Sequence, residues 1–143
     1  MKLPTREEIN VHNSLDERRA CENFLGKTLD EAEGLFRENF MWFQEDLMWM
    51  GPVAFRFYVP AAIRYLQSEH SNGDSDAISC FVSLLEFRWE NEPQEVRPIA
   101  AELAAALSYI VENHKKFDDE FFEIDSDLLS RCEQLIQQFQ KQK

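Results

Sequence analysis

Apolar residues recur every three or four positions along most of the chain, and almost no segment alternates apolar and polar residues as a strand does. Because this spacing places apolar side chains on one face of a helix, it predicts an all-α fold. The few glycines and prolines fall largely between the periodic segments. We expect an irregular single-domain bundle of about six to eight helices over residues 1–143, with a frayed polar tail at about 140–143.

Three capping boxes predict where the first helices begin. In a capping box a hydroxyl residue and a glutamate three positions later satisfy free amides of the first turn. The hydroxyl residues of the three boxes are Thr5, Ser14 and Thr28. They predict one helix near 5–12, a second near 14–25 that Gly26 ends, and a third that opens at Thr28.

The third helix is expected to keep its apolar residues, together with Asn39, on one face as far as Phe43. Residues 44–51 lose this pattern and are interpreted as a break that contains a turn of helix. Pro52 then begins another helix, since proline at the first position removes no needed hydrogen bond. Pro60 lies inside its pattern and predicts a kink or a break there.

Three further helices are predicted in the second half of the chain. One is capped by Asp74 or Ser75 and runs to about Glu90. Residues 94–115 form the strongest amphipathic segment, in which Pro98 fits only in the first turn. The last helix turns a short apolar set inward. These residues are Leu128, Cys132, Leu135, Ile136 and Phe139.

The charge balance changes the set of partners to be expected. The chain has 15 Lys and Arg against 27 Asp and Glu, a formal net charge of −12. Such a surface repels phosphate backbones, which argues against nucleic-acid binding and favours a basic protein partner. No stretch approaches the roughly 20 apolar residues of a membrane span, and the N-terminus lacks the apolar run of a signal peptide. Three widely spaced cysteines indicate reduced thiols, so we expect a cytoplasmic protein with no membrane segment.

Catalytic chemistry has little support in the sequence. The histidines His12, His70 and His114 lie outside any nucleophile signature, and none follows the glutamate of a Glu-x-x-His metal motif. Glu86 and Glu90 share a helical face and are interpreted as a solvated or salt-paired edge. No glycine-rich nucleotide loop occurs. We therefore expect no catalytic residue, no metal and no cofactor, and the sequence favours a protein that is not an enzyme.

Aromatic residues are concentrated between residues 36 and 58, and three of them fall outside the stripes that core packing explains. Trp42, Trp49 and Phe57 are interpreted either as cover for the core or as anchors of a partner site. Arg56 and Arg64 lie on the same helix as Phe57. They project from the side opposite its buried stripe, where they could flank a small groove with Trp49. Either Glu45 or Asp46 would supply a carboxylate to this groove.

An acidic and aromatic segment covers residues 118–127. It has the oxygen density of a calcium site but lacks the order of an EF-hand loop. We interpret it as a connector that apolar residues hold to the core, with an acidic docking strip for a basic partner as the alternative. The apolar residues are Phe117, Phe121, Phe122 and Ile124. The strip residues are Asp118, Asp119, Glu120 and Glu123.

Residues 54–61, Ala-Phe-Arg-Phe-Tyr-Val-Pro-Ala, resemble the AFxxYxPA signature of a family of small, all-helical bacterial domains of unknown function. In that family the signature follows an acidic and aromatic stretch similar to residues 45–50, and the likeness covers about residues 28–68. Val59 stands where leucine is more usual. The resemblance implies an all-helical fold and no assigned activity. Since some similar domains occur in toxin-immunity gene sets, it also implies an inhibitor-like binder.

Three functions are consistent with these patterns. The leading one is a non-enzymatic, acidic protein-binding module, of the immunity or inhibitor kind, that masks a basic partner. The first alternative is an enzyme or small-ligand-binding domain that uses the groove near Trp49, Arg56 and Arg64. The second is a structural homodimer that associates through the alanine-rich residues 100–106. Exposure of the three off-pattern aromatic residues would distinguish a binding surface from core cover.

Overall fold

A computed structural model of the chain describes residues 2–141, and these residues form an all-α structure without any strand. The fold class predicted from the helical periodicity is therefore confirmed. The chain divides into two compact units, and the division falls inside one helix, between Tyr65 and Leu66. Each unit has its own set of buried apolar residues.

The first unit begins with two short helices and contains two long ones. The helices are α1 (Arg6–Ile9), α2 (Leu15–Phe24), α3 (Leu29–Trp49) and α4 (Pro52–Gln67), of which the last two residues belong to the second unit. All three predicted capping boxes are formed, so the predicted helix starts are confirmed. Gly26 has a φ of 81°, a left-handed conformation that ends α2 as predicted.

Helix α3 differs from the prediction in two places. It continues to Trp49, so the break predicted over residues 44–51 is wrong. The irregularity lies instead at Asn39, whose φ of −163° and ψ of 90° interrupt the helix. Its Oδ1 accepts a hydrogen bond from the backbone N–H of Trp42 at 3.1 Å. Asn39 is therefore exposed and caps a second helical segment instead of extending the apolar stripe.

Helix α4 begins at Pro52 as predicted and runs to Gln67 with Pro60 inside it. A kink or a break was expected at Pro60, and the continuous helix excludes the break. The buried hydroxyl of Tyr58 lies 2.8 Å from the carbonyl oxygens of both Phe24 and Lys27, which attaches α4 to the end of α2. Neighbouring rings in this core lie 5.0 to 5.8 Å apart. They belong to Phe24, Phe36, Phe40, Tyr58 and Tyr65.

The second unit contains the remaining helices. They are α5 (Ser75–Asn91), α6 (Pro93–Val96), α7 (Ala100–Glu112) and α8 (Ser126–Gln140), with short 3₁₀ helices at Glu69–Ser71, Arg97–Ile99 and His114–Phe117. The predicted cap of α5 is confirmed, because Asp74 accepts a hydrogen bond from the N–H of Ala77. The single helix predicted from residue 94, or from nearer residue 96 if Pro98 lies in its first turn, begins instead at Ala100 and ends at Glu112. Pro98 cannot donate a backbone hydrogen bond, and the chain passes through a 3₁₀ turn there before α7 begins.

Gln140 is the last residue of α8 and Lys141 is its C-cap. The frayed tail expected at about residues 140–143 stays a prediction. Positions 142 and 143 of the predicted tail lie outside the described residues. Across residues 2–141 no helix is both long enough and apolar enough to span a bilayer.

Candidate functional site

The second half of α3 exposes large apolar side chains on one face. Met41 and Trp42 are each 51% exposed, and Trp49 is 42% exposed. Residues three, four and seven positions apart lie on the same side of a helix, so Glu45 shares this face. We call this surface the tryptophan face. It consists of Met41, Trp42, Glu45 and Trp49.

Arg19 of α2 restrains two side chains of the tryptophan face. Its guanidinium carbon lies 4.6 Å from the centre of the Trp42 ring, and its Nη2 donates a hydrogen bond to the Glu45 carboxylate at 2.9 Å. The cation–π contact and the ion pair together favour one orientation of the indole. A side chain that is already restrained loses less conformational entropy when a partner binds.

A buried carboxyl group lies next to this face along α3. Asp46 is 2% exposed and accepts a hydrogen bond from Nδ2 of Asn23 at 2.7 Å, with Nε of Arg19 at 3.7 Å. Burial raises the pKa of Asp46 to about 6, although the Asn23 hydrogen bond and the Arg19 charge oppose this shift. Both carboxylates that the sequence offered as alternatives for a ligand groove, Glu45 and Asp46, are thus held by side chains of α2.

The structure brings together only part of the predicted groove. Phe57 and Arg64 line a groove of about 310 Å³, in which Arg64 lies 3.4 Å from the Asp30 carboxylate. Trp49 and Arg56 are not among the residues that line it. Phe57 is half-buried, with its ring edge-on to Tyr58. Of the three off-pattern aromatic residues, the two tryptophans are therefore exposed and Phe57 partly covers the core.

The acidic connector is organised by two of its own carboxylates. Oδ1 of Asp119 accepts hydrogen bonds from the N–H groups of Phe121 and Phe122, each at 2.7 Å, and Asp118 accepts one from Ile124 at 2.7 Å. Since these two carboxylates form the turn, Glu120 and Glu123 are the strip residues with carboxylates not used in it. Both of these glutamates are exposed.

The turn corrects the expected role of the connector's aromatic residues. Phe117 and Ile124 are buried as predicted, but Phe121 is 80% exposed and Phe122 is 66% exposed. The prediction that these two phenylalanines hold the connector to the core is wrong. The side-chain turn at Asp119 reverses the chain, so its central residues project into solvent.

A groove between α5 and α8 was not predicted. It has a volume of about 570 Å³ and is lined by a four-residue stripe from each side. One stripe consists of Glu86, Trp89, Glu90 and Pro93, and the other of Arg131, Gln134, Leu135 and Gln138. Both stripes have the spacing i, i+3, i+4, i+7 in the sequence. That signal is visible in the sequence, but it does not show that the two stripes face each other.

The two cysteines with a shifted pKa, Cys21 and Cys132, are not activated as nucleophiles. All three cysteines are free thiols, and Cys21 and Cys132 are buried. Burial raises the pKa of the Cys132 thiol to about 11 and also raises that of Cys21. No group of three or more His, Cys, Asp or Glu side chains within residues 2–141 is arranged to hold a metal ion.

The alanine-rich segment is used largely inside the second unit. Ala100, Ala104 and Ala106 are buried, whereas Ala101 and Ala105 are exposed. The largest set of contacts in this unit is between α7 and α8. Small side chains on α7 therefore serve close packing within the chain, and self-association through residues 100–106 stays a prediction.

Comparison of the chain with protein-family models, with curated proteins and with solved structures finds no match. The resemblance of residues 28–68 to small bacterial domains therefore stays a prediction. The fold and the surface define the class: an all-α protein that presents an exposed pair of tryptophans on one long helix.

Proposed function

We propose that the protein is a non-enzymatic binding module that holds a basic protein partner against the tryptophan face. The observation that carries the proposal is the exposure of Trp42 and Trp49 on one side of α3. Tryptophan is strongly enriched among residues that dominate binding energy at protein interfaces. Large apolar side chains grouped on a surface are typical of such interfaces, whereas single exposed ones are common and carry no such meaning.

The charge of the chain determines the kind of partner that we propose. A net charge of −12 attracts cationic proteins and accelerates their encounter with the surface at low ionic strength. Glu45 lies between the two tryptophans on the same face, where it is already paired with Arg19 at 2.9 Å, so it does not itself supply an unpaired charge. The net charge of the chain attracts a basic partner, whose apolar groups then contact the indoles.

A role in the bacterial cytoplasm as an inhibitor-like or immunity-type binder completes the proposal. It is supported by the resemblance of residues 28–68 to domains found in toxin-immunity gene sets. It is further supported by the three free thiols, which suit a reducing compartment. An inhibitor of this kind needs an exposed, pre-oriented surface, and the Arg19 contact with Trp42 provides one.

Capture from a bacterial lysate tests the proposal, with proteins identified by mass spectrometry. The immobilised wild-type chain is compared with the double variant Trp42→Ala/Trp49→Ala at low salt. We expect a small set of basic proteins on the wild-type chain and a loss of about tenfold or more in their yield on the variant, since each anchor contributes more than about 1 kcal/mol. Their elution is expected to begin as the salt concentration rises.

The matched control removes exposed aromatic residues from another surface. The double variant Phe121→Ser/Phe122→Ser loses two rings that are more exposed than either tryptophan. It should retain the same proteins as the wild-type chain. Retention of the same proteins by the tryptophan variant, or capture that ignores both salt and charge, would contradict the proposal.

A further inference from the structure

The groove between α5 and α8 is closed at one side by a strong ion pair. Arg131 donates two hydrogen bonds to the Glu86 carboxylate, at 2.6 Å and 3.1 Å, and a third to the Ser83 hydroxyl at 3.2 Å. A bidentate pair of this kind is geometrically specific. It neutralises both Arg131 and Glu86, so neither side chain determines the charge of the groove.

Glu90 gives the groove a negative charge that Arg131 does not neutralise. It lies one turn after Glu86 on α5, lines the groove and is exposed. Within residues 2–141 its carboxylate forms no hydrogen bond and no ion pair. The groove therefore has a net negative charge that the described chain does not balance, and a cation is the ligand that would balance it.

Aromatic and apolar side chains form the rest of the groove. Trp89 is half-buried, and its ring packs edge-on to Phe139 at 5.2 Å, which holds the indole in position. Pro93, at the start of α6, is half-buried and lines the groove, so the groove also offers an apolar contact. The face of an indole attracts a cation, and a carboxylate forms charge-assisted hydrogen bonds with a guanidinium or an ammonium group.

From this arrangement we infer that the groove binds a small organic cation, an alkyl chain that ends in a guanidinium or a primary ammonium group. The cationic end pairs with Glu90 and contacts the Trp89 ring, and the alkyl chain lies against Pro93. A volume of about 570 Å³ is within the roughly 300 to 1,000 Å³ of ligand pockets in proteins. This site belongs to the second unit and does not depend on the tryptophan face.

Titration with n-butylguanidinium, followed by NMR of the wild-type chain, tests the inference. The three indole N–H signals are assigned with single Trp→Phe variants. We expect a saturable shift of the Trp89 signal and of amides in α5 and α8. The uncharged isostere n-butylurea should bind at least about tenfold more weakly, because it lacks the charge-assisted pair with Glu90.

Two matched variants remove the same charge at different places. Glu90→Gln should weaken butylguanidinium binding by about tenfold or more. Glu133→Gln, on α8 but outside the groove lining, should leave it unchanged. A third variant, Gln134→Glu, adds a carboxylate to the lining and should strengthen binding.

Each outcome decides for or against the site. The inference is overturned by equal shifts with butylurea, by shifts that lie outside α5 and α8, or by the absence of a saturable shift. Equal weakening in the Glu90 and Glu133 variants also overturns it, since that result shows only a general attraction of cations to an acidic protein. Should Glu90→Gln not fold, the Gln134→Glu variant decides alone, and unchanged affinity in it counts against the site.

Discussion

Asp46 connects the stability of the first unit to pH. Its carboxyl group has a pKa of about 6 in the folded chain against an ordinary value of 3.8, because the folded state buries it. The folded state therefore holds the proton more tightly than the unfolded state does. The contribution of Asp46 to stability is fully present below about pH 4 and is lost as the pH rises towards 6.

The variant Asp46→Asn should remove this dependence. We expect the free energy of unfolding of the wild-type chain, relative to the variant, to fall by about 3 kcal/mol between pH 3 and pH 7, since each pKa unit corresponds to about 1.4 kcal/mol. Urea unfolding of both proteins at several pH values measures the difference. Glu45→Gln is the control, because its exposed carboxylate also contacts Arg19. A constant difference between wild type and Asp46→Asn across this range would contradict the assignment.

At the scale of elements, Gly51 determines how closely the end of α1 approaches the start of α4. The N–H of Gly51 donates a hydrogen bond to the carbonyl of Ile9 at 2.9 Å. A Cβ at this position would overlap the carbonyl oxygen of Glu8 and lie 2.5 Å from Cγ2 of Val11. The backbone of Glu8 cannot move aside as a flexible side chain can, so only glycine fits here.

Alanine substitutions at two glycines should therefore have opposite effects. Gly51→Ala is expected to lower the free energy of unfolding by about 2 kcal/mol, the usual size of an overpacking penalty. Gly34→Ala lies inside α3 with nothing within 4 Å of the new Cβ, and it should raise stability by about 0.5 to 1 kcal/mol. Urea denaturation of both variants measures the pair. Equal effects of the two substitutions would show that the close approach at Gly51 has no energetic consequence.

The interruption of α3 at Asn39 could not be predicted from the sequence. Asn39 has a spacing that fits the apolar stripe, and the residues around it form a helix on both sides. Asparagine is both a tolerable helix residue and a good N-cap, so its local preference does not decide between the two roles. The structure shows the N-cap role, in which the residues after Asn39 begin a second helical segment.

At the scale of the whole molecule, the excess of acidic residues opposes folding through mutual repulsion. With a net charge of −12, we expect the free energy of unfolding to rise as sodium chloride increases from about 20 mM to about 200 mM, because the screening length falls over this range. Chemical denaturation by urea measures the change, since urea adds no ions.

A charge variant provides the control for this effect. The double variant Glu22→Lys/Glu112→Lys changes two exposed positions near the ends of α2 and α7, and each substitution changes the net charge by two. The double variant should show a smaller rise in stability with salt than the wild-type chain. An identical salt response in both proteins would exclude repulsion as its cause.

The local features of this protein follow from short stretches of its sequence. The capping boxes, the left-handed Gly26, the start of α4 at Pro52 and the all-α class all depend on residues within a few positions of one another. Helical periodicity and cap chemistry act over that short range, so a few neighbouring residues are enough to predict them.

Which surfaces remain exposed depends on contacts between distant segments of the chain. Exposure of Trp42, Trp49 and Phe121 depends on what packs against them from elsewhere in their own unit, and periodicity alone does not contain that information. The groove between α5 and α8 likewise needs two stripes that lie about 45 residues apart to face each other, as the Glu86–Arg131 pair does. Burial and facing are long-range properties of packing. The sequence therefore named Trp42 and Trp49 as candidates, but only the folded chain shows that they are exposed and that the two stripes of the groove face each other.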